Sequence, residues 1–187
     1  MTVSGPRPSS SVLLAVVASV LTGCGGAGAP DSASGGVADR ARFYGSLDEL
    51  VGESDVVVTG VATSQVAEGE PDDPGLTWTL TTVQVDATVT PGAEDLTGTT
   101  IVVRQTGSAA RPISGWPLLV EDDRYLLTLN ESDDPGAGAA EYFVTGGPAG
   151  VYEATDDVRD GAPVFEAVSS DSGDDLPGDV VPADFAG

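Results

Sequence analysis

The fold class is decided by DVVVTGVATS at residues 55–64 and by TWTLTTVQVDATVT at residues 77–90. The first segment is rich in β-branched residues, which favour strands, and Gly60 inside it predicts a bend or bulge. In the second segment Val83 and Val85 alternate with polar residues. This period of two predicts a strand with one buried and one wet face.

The neighbouring segments extend this β pattern. Trp78 and Leu80 are out of phase with Val83, which predicts a bulge or bend near Thr81-Thr82. A loop is predicted between the first two strands, at residues 67–76. Further strands are predicted at residues 99–105, 124–129 and 141–145, and at 150–154 and 163–168, which can pair across a turn at Asp160-Gly161.

One short helix precedes the strands. Ser46 and Glu49 have the spacing of a capping box, and Gly52 ends the helix after about two turns. No longer helical period occurs, and Gly and Pro separate the strands. The expected fold is therefore all-β, a small antiparallel OB-like barrel or sandwich with one short N-terminal helix.

Charge and composition exclude several function classes. The chain has 187 residues, a formal net charge of −23, no His and one Cys, and its seven basic residues are all Arg. Nucleic-acid binding is disfavoured because the phosphate backbone requires a basic surface. Chemistry that needs a His base, a Lys Schiff base or a P-loop Lys is excluded. We expect no cofactor, no metal site and no catalytic residue.

Residues 1–23 are typical of a bacterial export signal. Arg7 is the only charged side chain before an apolar run from Val12 to Leu21, which is shorter than the ~20 residues of a membrane-spanning helix. The run ends in Leu-Thr-Gly-Cys, with the cysteine at position 24. This ending resembles the lipobox of bacterial lipoproteins. The resemblance implies cleavage before Cys24 and attachment of a diacylglycerol to its thiol.

Changes in composition divide the remaining chain into three parts. After the lipidated Cys24, residues 24–40 are rich in Gly, Ala and Ser and predict a flexible tether. Residues 41–168 are long enough for one β domain with its own core. Residues 169–187 contain five Asp and no basic residue, which predicts an acidic disordered tail. We expect a monomer held by its lipid on the extracytoplasmic face of the cell membrane.

The order of segments within residues 46–154 resembles that of actinobacterial cell-surface lipoproteins and, more loosely, that of netrin-like domains. The resemblance rests on SLDELVGESDVVVTGV at residues 46–61, TIVVRQTG at 100–107 and EDDRYLLTL at 121–129. Netrin-like domains have an OB-type barrel, so the resemblance implies that fold. It implies no activity. The animal members are cross-linked by disulfides, whereas the one Cys of this chain is the expected lipid site.

Acidic residues occur in adjacent pairs along the chain: Asp72-Asp73, Asp122-Asp123, Asp133-Asp134, Asp156-Asp157 and Asp174-Asp175. Loops rich in Asp can bind Ca²⁺, but none of these has the spacing of an EF-hand loop. Neighbours in an extended segment also point to opposite sides. Solvated loops are the favoured interpretation of these pairs.

Five aromatic residues are candidates for a ligand groove: Trp78, Trp116, Tyr125, Tyr142 and Tyr152. Most are expected to fill the core, and Trp116, between Gly115 and Pro117, is the best exception. The favoured function is a membrane-tethered, non-enzymatic binding or interaction module of the cell envelope, with a protein or glycan partner. The alternative is a cell-wall hydrolase that depends on Ca²⁺ or on carboxylates.

Overall fold

The computed structural model describes residues 42–70, 73, 75–133, 140–169 and 173–186. The predicted export signal, Cys24 and the tether lie outside these residues. The described part of the chain contains a short helix α1 (Leu47–Gly52) and strands β1 (Val56–Gly69), β2 (Thr77–Thr88), β3 (Thr100–Thr106), β4 (Arg124–Glu131), β5 (Glu141–Val144), β6 (Val151–Arg159), β7 (Ala162–Ala167) and β8 (Asp179–Val180). Short 3₁₀ helices cover Gly147–Gly150 and Pro182–Phe185.

The mostly β fold and the short helix are confirmed. In α1 the Ser46 hydroxyl accepts a hydrogen bond from the Glu49 amide at 3.2 Å, as the capping box predicts. The Glu49 carboxylate reaches back to the amide of Gly45, at 2.9 Å, rather than to that of Ser46. Strand β1 is longer than predicted, because residues 67–69 pair with β2 instead of forming a loop.

The eight strands form one mixed sheet. Its pairings lead from β1 through β2, β3, β5 and β4 and back to β1. The sequence predicted antiparallel pairing, but β3 and β5 are parallel. A closed circuit of five strands cannot alternate in direction all the way round, so at least one pair must be parallel. Strands β6, β7 and β8 continue the sheet from β4.

The β1–β2 pair has two register shifts, with one extra residue in each strand: Asp86 in β2 and Thr63 in β1. The register shifts between Thr59 and Gly60, where the sequence predicted a bend. A second shift lies between Ala62 and Ser64, opposite Thr82. A register shift thus lies where a bulge or bend was predicted, near Thr81-Thr82, but its extra residue is in β1: Thr79 and Thr81 are buried and keep the phase of Val83, so β2 itself does not bulge at this point.

A first hydrophobic cluster, the ring core, is formed mainly by strands β1 to β5. Its buried members include Val58, Val83, Ile101, Leu127 and Tyr142. They are the apolar residues of the alternating strands, which the period of two predicted. A second cluster, the tail core, packs against other residues of the same sheet and comprises Val57, Leu126, Tyr152, Phe165, Val180 and Phe185.

The prediction of a disordered tail is wrong for residues 173–186. Strand β8 pairs with β7, and Phe185, which is 1 % exposed, packs against Tyr152 with ring centroids 5.8 Å apart. The start of the domain is tied to the same segment, because the Tyr44 amide donates to Asp174 Oδ1 at 2.7 Å and the Asp175 amide donates to the Tyr44 carbonyl at 2.9 Å. Residues 170–172 and 187 lie outside the described chain.

Candidate ligand-binding site

Three of the five aromatic candidates lie in the core. Tyr125 and Tyr142 belong to the ring core and Tyr152 to the tail core, and none is more than 5 % exposed. Burial is the main cause that raises the pKa of Tyr125 and of Tyr152 to about 12. These phenols therefore stay protonated near neutral pH and contribute packing rather than chemistry.

Trp116 lies in the β3–β4 connection, as the sequence predicted, and is partly buried. Two isolated bridges, Ser108–Arg111 and Ile113–Trp116, fold this connection back on itself. Its end is fixed by Gln105 of β3, whose side-chain amide donates to the Pro117 carbonyl at 3.2 Å and accepts from the Leu119 amide at 3.0 Å. The loop thus holds the indole in place.

The Trp116 ring lies directly over Gly147. A Cβ at Gly147 would be 2.7 Å from Trp116 Cη2, and the φ of Gly147 is +60°. Both the backbone conformation and the close approach therefore require glycine at this position. The 3₁₀ helix that begins at Gly147 brings Pro148 to the same place, where it lines the wall of a pocket beside the indole.

Trp78 and Arg104 form a stack on the outer face of the sheet. The Arg104 guanidinium carbon lies 4.6 Å from the centroid of the Trp78 ring, a cation–π distance. Phe143 of β5 contacts the same indole edge-on, with centroids 6.1 Å apart. The Trp78 Nε1 donates to Glu70 Oε2 at 2.9 Å. Since β3 pairs with β5, the parallel strands bring Arg104 opposite Phe143.

The side chain of Arg104 makes no direct hydrogen bond to the described part of the chain. Its two terminal nitrogens lie 3.7 Å from a Glu70 oxygen and 3.6 Å from a Glu141 oxygen, longer than a hydrogen bond. Its Nε is buried and has no hydrogen-bond partner among the described residues. The Arg104 side chain is 23 % exposed and that of Glu141 is 7 % exposed. A guanidinium with this much burial and no hydrogen bond is unusual.

A pocket of about 60 Å³ lies beside this stack. It is mostly apolar and is lined by residues that include Arg104, Trp116, Pro117, Phe143 and Pro148. Its volume is well below the roughly 300–1,000 Å³ of sites that enclose a small molecule. Two wider depressions, of about 370 and 250 Å³, lie at the β6–β7 hairpin and beside residues 176–178, and neither is lined by a partly exposed aromatic ring.

The paired acids do not come together. Among the described residues, no group of three or more His, Cys, Asp or Glu side chains could hold a metal ion. The Asp122 amide donates to the Ala62 carbonyl at 2.8 Å in the turn before β4, and Asp174 and Asp175 contact Tyr44. Asp72 and Asp134 lie outside the described residues, as does Cys24.

Sequence reasoning found the two tryptophans but missed Arg104, Phe143, Glu70 and Glu141. The sequence did contain one signal for Arg104: it is a charged residue in an otherwise uncharged strand, two positions before the end of β3. The neighbourhood of Phe143 could not be predicted, because it depends on the parallel pairing of two strands that are distant in sequence.

No protein-family model matches the chain, and no curated protein matches it significantly. Within the part of the chain that the structure describes, no helix is both long enough and apolar enough to cross a membrane.

Proposed function

We propose that the chain is a lipid-anchored, extracytoplasmic protein of the cell envelope and acts as a non-enzymatic binding module. The observation that carries the binding function is the pocket between Trp116 and Phe143, with the Arg104 guanidinium at its side. It combines aromatic surface with unused hydrogen-bond donors. Two acids, Glu70 and Glu141, flank Arg104, but neither lines the pocket.

The strand pairings support an OB-type barrel as the scaffold. The circuit of β1, β2, β3, β5 and β4 includes five strands, and the OB-fold is a five-stranded Greek-key barrel. The connection that carries Trp116 leads from β3 to β4, and the 3₁₀ helix with Gly147 follows β5. The pocket therefore lies where two connections meet the outer face of the circuit.

The small volume of the pocket favours binding over catalysis. A hydrolase that uses two carboxylates must enclose a sugar between acids about 5–10 Å apart. A pocket of about 60 Å³ takes up only one edge of such a ligand. Glu70 and Glu141 are also engaged on the same guanidinium, so they are placed to balance its charge.

The binding function is tested by co-sedimentation with isolated cell walls of the organism that encodes the chain. The processed full-length protein should sediment with the walls, and Trp116→Ala should reduce the affinity at least tenfold, because it removes the indole beside the pocket. Val158→Ala serves as the control, since Val158 is 69 % exposed and lies outside the pocket. Equal sedimentation of all three proteins would contradict the proposal.

The lipid anchor is tested separately with Cys24→Ala. The lipobox resemblance predicts that the wild-type chain partitions into detergent with the membrane fraction and carries the mass of its acyl groups. The variant should be found in the medium or as the uncleaved precursor. Normally processed, membrane-bound Cys24→Ala protein would contradict lipid attachment.

A further inference from the structure

We infer that the Trp116 pocket binds a neutral saccharide whose hydroxyl groups bond to Arg104 and its two flanking carboxylates. The inference deepens the proposed function and rests on it, since it names the chemical class of the ligand for the same pocket. Three features carry it: the unused donors of Arg104, the position of Glu70 and Glu141, and the apolar walls of the pocket.

The first feature is the hydrogen-bonding capacity of Arg104. A guanidinium has five N–H donors, and those of Arg104 make no direct hydrogen bond within the described chain. The covered Nε lies at the Trp78 stack, so the terminal nitrogens are the groups that can reach a ligand. An incoming oxygen would therefore gain hydrogen bonds to donors whose described neighbours, Glu70 and Glu141, lie at ion-pair distance but not at hydrogen-bond distance.

The second feature is the pair of carboxylates at the guanidinium. Glu70 and Glu141 oxygens lie 3.7 and 3.6 Å from the terminal nitrogens, and carboxylates only accept hydrogen bonds. Neither carboxylate lines the pocket, so they meet the part of a ligand that extends from the pocket past Arg104, where donors and acceptors lie side by side. A hydroxyl group is both donor and acceptor, so neighbouring sugar hydroxyls can bond to Arg104 and to a carboxylate at once.

The charge of the site argues against an acidic ligand. One guanidinium and two carboxylates sum to a local charge of −1, and the chain as a whole carries −23. The Glu141 side chain is only 7 % exposed, so its repulsion of an anion is weakly screened. A neutral sugar makes the same hydrogen bonds without this cost.

The third feature is the apolar wall formed by Trp116, Pro117, Phe143 and Pro148. Such a wall accepts the C–H face of a sugar ring, and it would also accept a proline-rich peptide. The peptide is the poorer match to the polar side of the site. Proline has no N–H group, so it offers carbonyl acceptors to Arg104 but no donors to Glu70 and Glu141.

The experiment uses the intrinsic fluorescence of the chain, which has two tryptophans. Trp116 lines the pocket and Trp78 contacts Arg104, so both report on the site. The processed full-length protein is titrated with neutral oligosaccharides of glucose, mannose, galactose, arabinose and N-acetylglucosamine, with galacturonic acid oligomers, and with oligoproline. We expect a saturable change with at least one neutral oligosaccharide, and weaker binding of the acidic oligomers and of oligoproline.

Two variants test the role of the polar side of the site. Arg104→Met should weaken saccharide binding by about tenfold to a hundredfold, the range expected for lost hydrogen bonds to a charged group. Arg159→Met is the matched control, because Arg159 lies in the β6–β7 hairpin outside the pocket, and it should bind like the wild type. Glu141→Gln keeps the shape of the side chain but removes its charge. It should narrow the difference in affinity between neutral and acidic sugars.

The thermal melt of each variant checks its folding, and Arg104→Lys replaces Arg104→Met if the latter does not melt cooperatively. A response to oligoproline alone, or stronger binding of the acidic oligomers, would overturn the saccharide inference while leaving the pocket a binding site. No response to any probe would also overturn it. The proposed function would still stand if sedimentation with cell walls depended on Trp116, and it would fail if sedimentation did not.

Discussion

The ring core and the tail core share strands β1 and β4 but depend on different parts of the chain. The ring core draws on residues that alternate along the strands, such as Val58 and Leu127. The tail core uses the intervening residues Val57 and Leu126, which face the other way, and it is completed by Phe185 near the end of the chain. One core is therefore local to the sheet, and the other requires a distant segment.

This difference explains the sequence of β1. Val56, Val57 and Val58 are all at most 4 % exposed, although adjacent residues of a strand point to opposite faces. A strand that is covered on both faces is typically a continuous apolar run rather than an alternating one. The three consecutive valines thus indicated a second layer, and the C-terminal tail is part of that layer.

Removing the C-terminal tail is the strongest test of whether the tail core requires this segment. A chain that ends at Val168 loses the fully buried Val180 and Phe185 and exposes the side chains beneath them. Burial of two such side chains contributes about 3–6 kcal/mol, which is comparable to the stability of a whole domain. We expect this shortened chain to lose its cooperative transition in urea, measured by circular dichroism.

Phe185→Ala tests the same region with a single change. Phe185 is 1 % exposed, and a buried Phe→Ala replacement costs about 3–5 kcal/mol. Val158→Ala, at a 69 % exposed position, should change the free energy of unfolding by less than about 0.5 kcal/mol. Wild-type stability of the Phe185→Ala protein would contradict the assignment of the tail to the folded domain, and would restore the expectation of a disordered tail.

The ring core is tested at Gly60 of β1, where the pairing with β2 shifts register. A Cβ at Gly60 would be 2.6 Å from the Gln84 carbonyl oxygen and 2.8 Å from a Val83 methyl group. Gly60→Ala should therefore destabilise the domain by about 1–3 kcal/mol, because backbone must move to admit the methyl group. The measurement is the free energy of unfolding in urea.

Gly69→Ala, in the same strand, is the matched control. Nothing lies within 4 Å of a Cβ at Gly69, so this change should be neutral or slightly stabilising. Equal effects of the two substitutions would mean that the cost comes from alanine in the strand and not from the close approach to β2.

The sequence predicted the ring core well and the tail core poorly, for a physical reason. Alternation along β2 is a local pattern that a strand imposes on its own residues. The tail has no such pattern: five Asp residues surround Val180 and Phe185, and composition alone favours disorder. The tail folds against the apolar side chains of Tyr152 and Phe165. Because these residues are distant in sequence from the tail, the pattern of the tail's own residues does not reveal the contact.

For the candidate site, too, the sequence predicted local features but not contacts between distant segments. The position of Trp116 between Gly115 and Pro117 indicated a loop, and Trp78 was recognised as out of phase with the rest of β2. Their partners were not predictable, because Gly147 and Phe143 reach the site only through the packing of β5 and the helix after it. Loop positions could be predicted, whereas contacts between distant segments could not.

The pH dependence of stability probes both cores through their tyrosines. An unfolded tyrosine has a pKa of about 10, whereas the pKa of Tyr125 and of Tyr152 is raised to about 12 in the folded protein. The folded state holds the proton more strongly, so stability is fully present below pH ~10 and falls as the pH rises from ~10 towards ~12. Urea unfolding at pH 9, 10 and 11 measures this fall, and Tyr152→Phe should reduce it. A free energy of unfolding that is constant over this range would contradict the burial of both phenols.

The smallest expected change in stability comes from removing a single hydroxyl oxygen in each core, from Tyr125 in the ring core and from Tyr152 in the tail core. The Tyr125 hydroxyl in the ring core accepts a hydrogen bond from the Val120 amide at 2.9 Å, whereas the Tyr152 hydroxyl in the tail core is buried and has no hydrogen-bond partner among the residues that the structure describes. Tyr125→Phe should cost about 0.5–1.5 kcal/mol, the net value of one hydrogen bond. Tyr152→Phe should leave the stability at pH 7 unchanged or raise it by up to about 1 kcal/mol, because it removes a desolvated polar atom that gains nothing in return. Both changes keep the ring, so packing is the same in each comparison and the difference between the two variants isolates the hydrogen bond. A loss of stability for Tyr152→Phe as large as that for Tyr125→Phe would contradict this account of the tail core.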